Sequence, residues 1–73
     1  GIYGLQRSFK LAGVNKIIMT LWKIPDLQTK ELMMIFYQNY FNGISASQSL
    51  RVAQTTMSLK YPPYYWAAFK LLE

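Results

Sequence analysis

No cysteine and no histidine occur anywhere in this chain of 73 residues. The first absence removes disulfides, thiolate nucleophiles and cysteine metal ligands. The second removes the side chain that most often activates a nucleophile near neutral pH. Together they exclude a clustered His/Cys metal site. Acidic residues are scarce as well, with three Asp and Glu against eight Lys and Arg, for a net charge of +5. The basic residues are spread from Arg7 to Lys70, so they read as solvated positions and not as a nucleic-acid footprint. The longest apolar run, Leu32 to Tyr37, is far too short to span a bilayer. No signal-peptide pattern is present. The expectation is therefore no cofactor, no metal, no nucleic-acid partner and no membrane partner.

What the chain does have is apolar surface: 52% of residues are hydrophobic and 16% aromatic. A chain of this length forms one small domain at most, and buries only about 60% of the surface its unfolded form exposes. So much apolar surface on so short a chain implies a piece that packs against more protein. A beginning at Gly1 fits the same reading.

Five elements follow from the pattern. Ile2, Leu5, Phe9 and Ala12 recur at three-to-four spacing, which predicts a helix over Ile2–Ala12 with Gly13 as a left-handed cap. Lys16 to Trp22 is a short run with two β-branched residues and almost no alternation. It predicts a strand interior to a sheet, with a neighbour on either edge. Pro25-Asp26 opens a second helix, with Asp26 as N-cap, that runs to about Asn42 and stops at Gly43. Its two apolar stripes, Leu32/Met33/Phe36/Tyr40 and Met34/Tyr37/Phe41, call for two partners. Ser45 to Gln48 matches the capping-box pattern and starts a third helix to about Leu59, with Ala46, Leu50, Ala53 and Met57 inward. The short connection at Gly43-Ile44 makes these helices antiparallel neighbours. Pro62-Pro63 ends the third helix. Tyr65 to Leu72 then reads as an edge strand, antiparallel to the first, with Tyr65, Ala67, Phe69 and Leu71 on one face.

Two strands with heavily apolar helices make an uncomfortable independent domain, which again points to a fragment. The residues themselves carry a resemblance. Gly4-Leu5 with Arg7, Phe9, Ala12 and Gly13 form one block, and Leu21-Trp22 with Asp26 and Thr29 another. Leu32-Met33, Phe36-Tyr37, Gly43, Ala53-Gln54 and the closing Pro63 to Phe69 complete the set. In order and spacing these resemble the C-terminal end of a CHAT domain, a caspase-like (clan CD) cysteine peptidase domain of bacteria often joined to tetratricopeptide repeats. Pro25 departs from the acidic or small residue common there, but it suits a helix start.

The resemblance implies an α/β fold: the C-terminal fragment of a caspase-like three-layer α/β/α domain. Its order would be helix-strand-helix-helix-strand, and residues 1–73 would form a single partial domain. It implies that the catalytic His and Cys lie upstream, so this chain alone has no peptidase activity while its parent is a cytoplasmic cysteine endopeptidase acting on protein or peptide. Tetratricopeptide repeats in the same parent chain are a further expectation.

Ligands of open α/β sheets bind beyond the C-terminal ends of strands. Trp22 and Lys23 follow the interior strand, and Thr20, Trp22, Lys23 and Asp26 are the candidate substrate-groove residues. The competing readings are Trp22 as a core cap, Asp26 as a helix cap and Arg7 as a solvated residue. Tyr64, Tyr65 and Trp66 read as core aromatics and not as a nucleic-acid stacking platform. The alternative function is a non-catalytic interaction module or pseudo-enzyme domain, docking through the apolar helices or self-associating.

Overall fold

The computed structural model describes residues 7–11 and 13–73. Strands β1 (Arg7–Lys10) and β2 (Ile17–Thr20) form a hairpin. Helices α1 (Asp26–Tyr40) and α2 (Ala46–Ser58) follow, then a 3₁₀ turn at Pro63–Tyr65 and strand β3 (Phe69–Leu72). The sheet has the order β1-β2-β3 and is antiparallel throughout.

The apolar strand β2 is central, as its lack of alternation predicts, and the last strand runs antiparallel to it. The expected first helix is corrected. Residues Arg7–Lys10 are a strand, and the remainder of that expectation lies outside the described residues. Phe9 and Leu11, two residues apart, fit the repeat of a strand and would face opposite sides of a helix, and Leu11 is fully buried. Pairing Phe9 with Ile18 gives β2 a partner along an edge that would otherwise carry unsatisfied backbone groups. Gly13 does take positive φ, 80°, but in the hairpin turn, which Leu11 N–H closes on the Lys16 carbonyl at 2.9 Å.

Along the sheet, Phe9, Ile18, Thr20, Phe69 and Leu71 share one face, since partners in register point the same way. This face meets Leu32, Phe36, Ala53 and Met57 in the core. The opposite face carries half-buried Ile17 and Met19 with exposed Lys10, Lys70 and Leu72. The described residues thus build two layers, helices on one side of a sheet.

Helix α2 begins as expected: Ser45 Oγ accepts from Gln48 N–H at 3.2 Å, and Ala46, Leu50, Ala53 and Met57 are all buried. Helix α1 corrects a cap. Pro25 occupies the N-cap position without a side-chain bond, and Asp26 is the first helical residue. Gly43, at φ 91°, turns the chain between the helices. Glu31 of α1 meets Lys60 and Tyr61 just beyond α2, so the two helices run antiparallel.

The predicted strand from Tyr65 is shortened to Phe69–Leu72. Pro63 fits the first position of a 3₁₀ turn, and the N–H groups of Trp66 and Ala67 bond back to its carbonyl at 3.1 and 2.8 Å. Those donors are then lost to a sheet ladder. Tyr65 and Ala67 are accordingly half-buried turn residues, while Phe69 and Leu71 keep the inward face assigned to them.

Candidate functional site

Beyond Thr20 the chain leaves the sheet and must reach the start of α1 in five residues. Leu21 N–H still bonds to the Ala68 carbonyl at 3.0 Å, so the exit is tied to the turn before β3. Trp22 Nε1–H then donates to the Tyr64 carbonyl at 2.9 Å. In return the Tyr64 hydroxyl donates to the Lys23 carbonyl at 2.9 Å. The two rings lie 6.1 Å apart with a 32° tilt. Two reciprocal bonds and a ring contact fix the loop against the 3₁₀ turn. Ile24 is buried beneath it, and the Thr29 hydroxyl donates to the Ile24 carbonyl at 3.4 Å.

On the other side of the loop, Arg7 Nη1 donates to Asp26 Oδ1 at 3.2 Å. The side chains are 49% and 90% exposed, so this ion pair contributes little to stability, about 0–1 kcal/mol. Arg7 also lies over the Phe9 ring, 5.8 Å from its centroid, which sets the guanidinium above β1.

These residues enclose a pocket of about 160 Å³ lined by Arg7, Thr20, Lys23, Ile24, Asp26 and Thr29. It lies where β2 ends and α1 begins. Three of the four residues singled out from sequence, Thr20, Lys23 and Asp26, therefore meet in one place. Trp22 stands apart from the pocket lining, half-buried against the core and Tyr64. Asp26 does not cap its helix and instead pairs with Arg7.

Sequence reasoning left Arg7 as a solvated side chain. The cross-sheet register that sets Arg7 opposite Thr20 is what brings it to the site, and the helical reading hid that register. It also read Tyr64 as core, whereas Tyr64 is 51% exposed and serves as the clamp on Trp22. Tyr65 and Trp66 are half-buried, and Trp66 packs on the core.

The pocket holds two cations, one carboxylate and two hydroxyls, a composition suited to binding a polar group. The groups it holds include no thiol or imidazole nucleophile or base. Among the described residues no group of three or more acidic, His or Cys side chains could hold a metal ion. No described helix is long and apolar enough to cross a membrane. A second, larger concavity of about 590 Å³ lies along α1 between Met33, Met34, Tyr37 and Phe41. Its walls are mostly apolar.

The CHAT domain family model matches residues 1–72. Tetratricopeptide repeat protein 28 of Mus musculus is 33% identical over 76 residues, and the protein of the same name from Homo sapiens 30%. Each match covers 99% of this chain and 3% of the relative. No solved structure matches the chain.

Proposed function

Because the chain belongs to the CHAT domain family, we propose that it forms the late sheet strands and part of the substrate groove of a caspase-like cysteine endopeptidase domain. Residues 1–73 are then one partial domain. The nucleophile and base come from the parent chain, and so do further layers over the outer face of the sheet. Backbone N–H groups near that nucleophile hold the oxyanion. The matched relatives are named for tetratricopeptide repeats, which supports such repeats in the same parent. They are mammalian proteins, so a bacterial source is no part of this reading. A cytoplasmic location belongs to it.

One observation supports the groove reading above the rest: Thr20, Lys23 and Asp26 converge at the C-terminal end of the central strand. Open parallel α/β sheets place ligands there; the sheet of the described residues is antiparallel, so the convergence of the side chains, and not the sheet type, supports the reading. Half-buried Trp22, held by Tyr64, forms an apolar shoulder beside the pocket. In the full-length parent, Trp22→Ala and Lys23→Ala should each lower kcat/KM for a peptide substrate roughly tenfold. Lys23 is exposed, so its loss leaves the fold intact even if loss of Trp22 does not. Unchanged cleavage by a folded Lys23→Ala enzyme would end the groove assignment.

A non-catalytic interaction module is the second reading, and the outer side of α1 favours it. Leu27, Met34 and Phe41 are 68%, 55% and 71% exposed, a stripe fit for an apolar groove on a protein partner. A parent chain lacking a His and a Cys upstream would select this reading over the first.

A further inference from the structure

We propose that the pocket between Arg7, Lys23 and the first turn of α1 binds a carboxylate, and so selects an acidic peptide group; this rests on the groove reading for its place in a substrate. Three independent features converge. Arg7 and Lys23 both line the pocket, against the single carboxylate of Asp26. Lys23 makes no ion pair among the described residues, and Arg7 offers Asp26 only Nη1 of its several donors. The net single positive charge matches a carboxylate better than a dianionic phosphate.

The second feature is the start of α1. Its N-cap is Pro25, and no side chain caps the first turn. The leading N–H groups of the helix and its positive dipole end thus remain available to an anion.

Thr20 supplies the third. It is 1% exposed, lines the pocket, and its Oγ1 has no hydrogen-bond partner among the described residues. A buried hydroxyl without a partner is costly and rarely retained without a use. A carboxylate seated in the pocket accepts its proton, together with donors from Lys23 and the helix. The pocket's volume of about 160 Å³ admits a carboxylate and the methylene that carries it. Asp26, at the solvent-facing rim and 90% exposed, competes for Arg7 and holds it in place until the ligand arrives.

The test is a titration of the 73-residue chain carrying Met34→Glu and Phe41→Glu, two exposed positions outside the pocket lining that favour the monomer, followed by amide NMR shifts. The probes are N-acetyl-aspartate N-methylamide, N-acetyl-alanine, the neutral N-acetyl-asparagine N-methylamide and inorganic phosphate. Both carboxylates should shift Lys23, Leu27 and Gln28, and the tighter of the two identifies a side-chain or a chain-terminal source. Lys23→Gln should weaken carboxylate binding about tenfold, the loss of one charge-assisted hydrogen bond. Asp26→Asn should tighten it, because the competing charge is gone. Thr20→Val should weaken it while leaving the denaturation midpoint equal or higher, a combination that a purely structural threonine does not produce. Equal shifts from the asparagine derivative, tighter binding of phosphate, or an unchanged affinity in both Lys23→Gln and Thr20→Val would overturn the proposal. Carboxylate binding with cleavage indifferent to Lys23→Ala would instead remove the groove reading and leave the pocket standing.

Discussion

Glu31 accepts a hydrogen bond from the Tyr61 hydroxyl at 2.9 Å and pairs with Lys60. Both partners lie just beyond α2, so one carboxylate fastens the end of the second helix to the first. The Lys60 bond, then the Tyr61 bond, holds the Glu31 carboxyl below its ordinary 4.5. The Glu31 bond in turn lifts Lys60 above its ordinary 10.5. A lowered carboxyl stabilises the fold above its unfolded value, and that contribution fades as pH falls from about 4.5 through the lower folded one. The raised lysine works in the opposite direction. Its contribution is complete below 10.5 and fades as pH climbs through the higher folded value. Denaturation midpoints measured against pH should therefore drop on the acid side, and Glu31→Gln should flatten that limb. High salt should shrink the effect, since both groups reach solvent. An unaltered acid limb in Glu31→Gln would assign it to other carboxyls. Residue pairs of this kind were invisible in the sequence, because Glu31 and Tyr61 lie 30 positions apart.

At the scale of elements, the segment joining α2 to β3 depends on a side chain from the helix before it. Gln54 Nε2 donates to the carbonyls of Trp66 and Phe69, each at 2.9 Å. Trp66 Nε1–H donates to the Tyr61 carbonyl at 3.0 Å. These bonds replace the sheet ladder that a strand from Tyr65 would have supplied. Gln54→Leu keeps the volume and leaves two carbonyls without that donor. It should cost about 1–3 kcal/mol in chemical denaturation, and a loss below a few tenths would mean that water serves those carbonyls equally well. The same contrast explains which elements were legible. Helix α2 has a cap, a four-residue apolar spacing and a proline stop, all local signals, and it forms where they point. The segment Arg7–Lys10 holds a single apolar residue, Phe9, which fits a helical spacing with Leu5 or a strand spacing with Leu11. Its state was decided by the free edge of β2, a demand that no local window contains.

For the whole molecule, the apolar surface left outside the core is the main unresolved demand of the composition. The outer side of α1 exposes Leu27, Met34 and Phe41, and the outer face of the sheet carries Ile17, Met19 and Leu72. Both predicted stripes of α1 exist, but the fold covers only one. The isolated chain should accordingly self-associate, with a stability at the low end for small domains. Sedimentation across a concentration series should show a rising mean mass, and Met34→Glu with Phe41→Glu should shift it toward monomer. A strictly monomeric wild type, unfolding cooperatively with about 5 kcal/mol or more, would mean that the two-layer core suffices.

By itself the sequence determined the chemistry this chain lacks, the family to which it belongs, and the elements whose signals are local. The absence of Cys and His is a matter of composition and needs no fold. The cap at Ser45, the stripe from Ala46 to Met57 and the central position of an apolar strand follow from spacing alone. Tertiary structure alone decided that Arg7 faces Thr20 across a hairpin, that Tyr64 clamps Trp22, and that Pro25 leaves the start of α1 open. Each is a contact between residues distant in sequence or a choice between two satisfied local patterns. In such cases the outcome depends on which arrangement pairs the most backbone groups and buries the most apolar surface in the assembled fold.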